Sequence, residues 1–591
     1  MTTIDWIVCF GFIGYMVWDG LKRVGETKSL AGYYTGNRRI PWWAAGLSVM
    51  GTQASAITII GTSSQAHEQG MGFVQTYFGL PFAMIVLSIF MVPLYRSRAL
   101  LTAYEYLEGR FGPETRALAS LVFLSSRCMQ LAIALGAPAV ALSAIFGMPT
   151  TASLFLIGGL ATLYTMVGGV AAAIWTDVKQ MTVIIFGMLA VLVILLWDLL
   201  PHFSLSKLLE VAGAAGKLNA VAVVPDSTDF LPRSAVAAAA GIGLPSFWEQ
   251  KYNLWSGLFG GFFLHLAYFG CDFSQAQRIL TSKNKHDSRF ALLLSAFVKV
   301  PMQTLILSVG VLIWLFYAVH GSPMLFKPEH LDAAKTPQYA AQVAAAQQQY
   351  DAAQARRRER MQALAALPGG PTSDPALLHD YQAAVAEVAG IRKQARELFA
   401  VGATAEERKS SADDTNFVFV RYILDNLPHA LLGLVIAAIF AAAMASSSAE
   451  LNALSAAAVN DGYKRWIARG KSEAHYVLVG RLATLAFGMF ASSVGMFMLG
   501  GGSLIENINI MGSFFYGSLL GVFALAMLVR RARRWAGAIG LVAGMATVAV
   551  VHNTLKIEFL WYNVVGCLAV LVVGILVSCF ERAPRPSATA S

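Results

Sequence analysis

Asp177 and Lys299 place a carboxylate and an ammonium inside long apolar stretches. A charge at the centre of a bilayer costs about 2.5 to 3.5 kcal/mol, so such groups mark ion or solute paths by default. Lys299 lies about twelve residues into its apolar run, roughly 18 Å at the helical rise, near a midplane. His265 and Tyr268 stand three apart and share one helix face, from which both could line a cavity. The rival readings are a core histidine donating to a backbone carbonyl and a snorkelling lysine, the latter opposed by its depth. Two polar stretches offer oxygen instead of charge. Gly51-Thr52-Gln53-Ala54-Ser55-Ala56-Ile57-Thr58 crowds small and hydroxyl residues between Trp43 and His67, and Ala441 to Ser448 ends in three serines. Such a stretch can unwind, freeing carbonyls to bind a cation while a half-helix end faces a solute. Close helix packing through small residues is the alternative. Carbonyls and hydroxyls are hard ligands, suited to sodium and not to a transition metal.

The elements that must hold these groups are membrane helices. The 591 residues are 56% hydrophobic and 13% charged, with a mean hydropathy of +0.58, which excludes a water-soluble globule. Long unbroken apolar runs exclude a transmembrane barrel, whose strands alternate. The expected fold is therefore an all-α polytopic membrane protein. Spans are placed at about 4–22, 41–66, 73–95, 117–146, 151–168, 171–200, 253–272, 287–320, 428–458, 475–499, 504–529, 535–553 and 558–580, thirteen in all. The cysteines at 9, 128, 271, 567 and 579 fall in apolar runs without metal or disulfide spacing and read as small packing residues.

The net charge of +10 is lopsided. Lys and Arg crowd at Lys22, Arg23, Lys28, Arg38 and Arg39; at Arg96, Arg98, Arg110 and Arg116; at Arg278, Lys283, Lys285 and Arg289; at Lys464, Arg465, Arg469 and Lys471; and at Arg530, Arg531, Arg533 and Arg534. Loops 67–72 and 147–150 carry none. The positive-inside rule then puts the N-terminus outside and the C-terminus inside a plasma (cytoplasmic) membrane. Two long segments fall outside. One, 201–252, ends in a Trp- and Tyr-containing stretch and reads as a cap over the outer mouth. The other, 321–427, is rich in Ala, Gln and Arg, with helix-like stretches on either side of Pro368-Gly369-Gly370-Pro371, a helical hairpin. It holds 12 basic and 13 acidic residues, so the basic excess belongs to the membrane part. No HExxH spacing or intramembrane aspartate pair supports an enzyme, and the short stretch after the last span leaves no room for a signalling domain.

Five motifs in order, "GYYTGNRRIPWWAAGLSVMGTQASAITIIGT", "TAYEYLEGRFG", "YTMVGGVAAAIWTDVKQ", "YFGCDFSQAQRILTSKN" and "ELNALSAAAVNDGYKR", resemble the sodium:solute symporter family. The resemblance covers nearly the whole membrane part. It implies a leucine-transporter-like core of two inverted five-helix repeats, with one helix before and two after. The layout is then a leading helix at 1–30, the first repeat at 31–200, an outer loop at 201–252, core helices six and seven at 253–320, the hairpin insertion at 321–427, core helices eight to ten at 428–529, and trailing helices at 530–591. It implies a sodium ion between core helices one and eight, on Gly51, Ala54, Ala442, Ala445 and Ser446. Ala445 stands where many members have a hydroxyl, which Ser447 is placed to replace. A second sodium is implied at Asp177 and Ser448, although Ala449 replaces a further serine of that site. Family-like solute positions are Thr58, Tyr77, His265 and Lys299, with Tyr268 as an inner-gate tyrosine and Asn507 and Asn509 as neighbours. The implied activity is sodium-driven uptake of a small polar solute, monocarboxylate- or sugar-like, by alternating access. The rivals are a proton-coupled transporter and a transporter-like sensor. The partners implied are that solute and the lipid bilayer, with no nucleic acid and no obligatory protein.

Overall fold

The computed structural model describes residues 1–22, 29–97, 100–222, 247–400, 408, 411–498 and 503–581. Arg23, Lys28 and Arg98 of the basic clusters, and 223–246 of the expected outer cap, lie outside the described residues. Sixteen helices carry the architecture: α1 Thr3–Lys22, α2 Trp42–Gln53, α3 Ala56–Gln69, α4 Leu80–Ser97, α5 Pro113–Ala134, α6 Thr150–Leu199, α7 Gly261–Gly270, α8 Phe273–Thr281, α9 Lys285–His320, α10 Pro337–Ala366, α11 Pro375–Glu397, α12 Leu431–Ala457, α13 Glu473–Met498, α14 Leu504–Leu528, α15 Arg534–Thr554 and α16 Phe559–Phe580. Among the described residues there is no sheet. One isolated bridge, Ile40 with Ser282, ties the entry to α2 to the end of α8.

Nine helices are long and apolar enough to cross a membrane, or ten with the bent α2/α3 pair taken as one span, among the described residues. Helix α6 is two helices joined at Gly169 (φ 63°, ψ −175°). Its 50 residues would reach about 75 Å, more than twice the roughly 30 Å hydrocarbon core. Tyr164 before the kink bonds Thr176 after it, O to O 2.7 Å, steadying the bend. Two expected spans are shorter than that test requires. The apolar part of α1 is Thr3–Met16, and 253–272 contains a π-turn, Ser256–Gly260, running into the ten-residue α7.

The outer surface is lipid-like. Trp197 is 81% and Phe497 82% exposed, which water would penalise and acyl chains accept. Of the five cysteines, Cys579 is exposed and the other four are buried, so it is not the core packer expected from its run. Without a hydrophobic drive between helices in lipid, contact comes from small residues. A Cβ added at Gly310 of α9 would stand 2.2 Å from the Ser63 carbonyl of α3, and one at Gly433 of α12 would stand 2.4 Å from the Asp5 carbonyl of α1. At that second contact Asp5 also accepts the Ala430 N–H at 2.8 Å, holding Ala430 at φ 68° just before α12.

The 321–427 segment contains the paired helices α10 and α11, joined through Gly370 at φ 76°. Charges bind it to the membrane part. Arg392 of α11 pairs with Glu68 at the end of α3 and with Asp414 at 2.7 Å. Arg396 adds a 3.0 Å bond to Asp414, and Arg357 of α10 donates to the Tyr317 carbonyl of α9 at 3.0 Å. From the 201–252 segment, Lys217 Nζ donates to carbonyls at the end of α3, those of His67 and Glu68, at 2.7 and 2.6 Å. Burial pushes that ammonium's pKa down to about 8, against the Glu68 charge that favours it.

Candidate functional site

The glycine- and hydroxyl-rich stretch does not make one helix. Helix α2 ends at Gln53, Ala54 leaves helical geometry (φ −85°, ψ 66°), Ser55 is extended (φ −74°, ψ 171°), and α3 starts at Ala56. The two halves meet at 56°. The last carbonyls of a helix have no donor of their own, so this break turns oxygens of the 51–54 region away from the ladder. Thr58 Oγ1 donates back to the Gln53 carbonyl at 3.0 Å, securing the corner.

A small cavity opens at the break. Of the expected solute positions, Thr58, Tyr77, His265, Tyr268 and Asn509 line it, and Asn507 does not. The Tyr77 ring stacks on His265 at 5.5 Å. His265 satisfies both readings of its role: one nitrogen, Nε2, donates to the Thr76 carbonyl at 3.0 Å, while Nδ1 is buried without a partner. Lys299 is not on the wall. Its Nζ is buried with no hydrogen-bond partner, 5.7 Å from the Tyr77 ring centroid. The Tyr77 ring stands between it and the cavity residues.

The charged wall of the cavity was missed from sequence. Arg127 of α5 and Glu450 of α12 both line it. Arg127 pairs with Asp272, the N-cap of α8, lies 3.2 Å from Glu450 Oε1, and donates to the Tyr516 hydroxyl at 2.7 Å. That hydroxyl passes its own proton to Gln130 Oε1 at 2.6 Å. Tyr268 accepts from Gln275 at 2.8 Å and lies under the guanidinium. Arg127 and Glu450 stand inside the apolar runs 117–146 and 428–458, so the rule that singled out Asp177 and Lys299 applied to them equally.

The sodium positions fall on α2 and α12, which pack against each other. Gly51 faces α6, where a Cβ would stand 3.2 Å from Asp177 Cβ. Ala442, Ala445, Ser446, Ser447 and Ser448 are all buried, as is Ala54. Ser446 Oγ rests on the Ala442 and Ala443 carbonyls at 3.1 and 3.3 Å, and Ser447 Oγ is buried without a partner. Asp177 accepts from Ser48 at 2.5 Å and stands 3.8 Å from Arg278. Its other oxygen is unpartnered. The donor set is wholly oxygen, as a hard monovalent cation requires.

The model of the Sodium:solute symporter family matches residues 33–333 and 394–544. The chain belongs to that family, and it is a multi-pass membrane transporter that couples sodium to the uptake of a small solute. Among its relatives, the sodium/sialic acid symporter NanT of Aliivibrio fischeri is 23% identical over 97% of this chain and 92% of its own length. The sodium/iodide cotransporter of Homo sapiens is 24% identical over 90% of this chain and 66% of its own. A solved sodium-coupled sialic acid symporter superposes with a TM-score of 0.72 at 21% identity, over 98% of both chains. The leucine-transporter-like fold is therefore shared.

Proposed function

We propose that the cavity at the α2/α3 break is the solute site and that one sodium binds beside it, on carbonyls of Gly51, Ala54 and Ala442 and hydroxyls of Ser446 and Ser447. The observation that carries this reading is the convergence of five of the seven expected solute positions on one cavity at a helix break. Sodium binding from outside fixes the corner at Ala54 and Ser55 against α12, which completes the Thr58 wall. Coupling is then the difference in solute affinity between the sodium-bound and sodium-free states. Asp177 and Ser448 form a weaker second cation position, because Arg278 and Ser48 already serve the aspartate. The chain lies in the plasma membrane with its N-terminus outside, the orientation favoured by the basic clusters. The solute is a small polar carboxylate or polyol, consistent with a wall of threonine, histidine, glutamine, asparagine and arginine.

The test is the melting temperature of the purified protein in sodium against potassium, with sialic acid, sugars, monocarboxylates and amino acids in turn. A ligand at 100 times its Kd stabilises by about 2.7 kcal/mol. A shift specific to sodium and enlarged by one solute is expected. No sodium shift with any solute overturns the reading and returns proton coupling or a sensor role to the front.

A further inference from the structure

One buried carboxylate in the cavity has half of its chemistry unused. Glu450 is 3% exposed, gives Oε1 to Arg127, and leaves Oε2 without a partner on a wall of the cavity. The Arg127 charge is already matched by Asp272, which with the Tyr516 hydroxyl holds its other terminal nitrogen. One guanidinium thus serves two carboxylates, and a surplus oxygen is left on a residue of the cavity wall. The other ionisable groups nearest Glu450 are Tyr268, Tyr516 and Cys128, all uncharged hydrogen carriers. Asp177 and Arg278, on other helices packed against α12, face each other. A second unused acceptor lies on the same cavity. His265 spends its N–H on the Thr76 carbonyl, which leaves Nδ1 as a lone pair without a donor. Buried acceptors left unpaired cost free energy that a ligand can restore.

We propose that Glu450, with His265, is a specificity residue that accepts hydrogen bonds from donor groups of the solute, so that the site takes hydroxylated or aminated carboxylates and rejects those without donors. The inference rests on the cavity being the solute site. The physical ground is an asymmetry of recognition. A site built to pair with a donor strongly rejects the analogue lacking it, because its own buried group is then stranded, whereas an apolar pocket discriminates weakly. An anionic solute that merely lay on Arg127 would face two carboxylates already there and would be repelled. A solute bringing N–H or O–H groups to Glu450 Oε2 is attracted by the same arrangement.

The experiment is sodium-driven uptake into proteoliposomes of matched pairs, gluconate against hexanoate and alanine against propionate, for the full chain and for E450M and E450Q. The wild-type protein is expected to favour the donor-bearing member of at least one pair tenfold or more. E450M is expected to bring that ratio to within about twofold, while the sodium-dependent rise in melting temperature persists. E450Q keeps the shape but leaves its one oxygen on Arg127 and puts an NH2 donor in place of Oε2, which separates the solutes: a hydroxyl can still accept from it, so part of the hydroxyl preference survives, whereas ammonium preference falls at least fivefold. An undiminished ratio in a variant that retains the sodium shift overturns the role of Glu450. A sodium shift with no response to any donor-bearing solute also overturns it, and leaves the symport reading standing. Absence of both the sodium shift and sodium-driven uptake in the wild type overturns the two together.

Discussion

Ser446 rests its hydroxyl on carbonyls of its own helix, so its oxygen lone pairs remain for a cation. Replacing it by alanine should weaken sodium by about 1.5 kcal/mol, roughly tenfold in the half-saturating concentration, on the scale of bonds to charged groups. A sodium activation curve that does not move would remove Ser446 from the ion's ligands. Lys299→Met should impair solute affinity and spare the sodium-dependent melting shift, because Nζ meets the cavity only through the Tyr77 ring. Equal uptake by that variant would exclude Lys299 from the solute path. At this scale the sequence was partly legible. Thr58 and Tyr268, within the family-like motifs, and Tyr77 and His265, polar groups inside apolar runs beside them, all line the cavity as expected, and so does Asn509. Arg127 and Glu450 met the same rule of charge within an apolar run as Asp177 and Lys299; what the sequence could not show is that they pair. The pair is 323 positions apart in the chain, and only the fold brings them together.

Between residues and fold, the element with most to test is the α10/α11 hairpin. Its composition reads as a solvated insertion, a segment whose removal transport should survive. The ion cluster argues otherwise: Arg392 is buried against Glu68 at the end of α3, which is one half of the broken helix. Arg392→Ala would leave the buried Asp414 to Arg396 alone and take the guanidinium from the half-buried Glu68, a loss of about 1 to 3 kcal/mol. A lowered melting temperature, partly rescued by combining it with Asp414→Asn, is the expected result. An unchanged melting temperature would show that the cluster bears no strain. Deleting the hairpin should impair transport for the same reason, which uptake by the shortened chain would decide. Lys217 supplies a pH signature of the same region. Its folded pKa, about 8, lies below the ordinary lysine value of about 10.4. Between those values the unfolded chain binds the extra proton, so this group's contribution to stability rises with pH there. Melting temperature measured from pH 8 to 10 should show a rising component that Lys217→Met abolishes.

For the molecule as a whole, the helical class followed from composition and from the long unbroken apolar runs, since only helices and closed barrels satisfy their backbone inside lipid and barrel strands alternate. The crossings were less legible. Helix α6 reads as two spans because the Val-Gly-Gly run breaks its pattern, and Gly169 makes that break. The segment before α8 reads as one span, whereas it contains a π-turn and a short helix, a distinction that hydropathy averages away. The response to voltage should follow the charge of the solute. One sodium carried inward with a polyol or a zwitterion moves one charge, worth about 2.3 kcal/mol per 100 mV, and with a monoanionic carboxylate it moves none. Uptake of an uncharged or zwitterionic solute should therefore rise when a potassium diffusion potential makes the interior negative, and a flat response with such a solute would point to an electroneutral cycle.

The salt-bridged hairpin has a practical side. Detergent hides most of a small membrane protein from antibodies, but α10 and α11 form a polar epitope outside the apolar spans. Because Arg392 bolts that epitope to α3, a nanobody gripping both would hold the outer half of the broken helix in one position. Binders selected in the presence and absence of sodium would then act as conformational traps, and would give image alignment a rigid landmark.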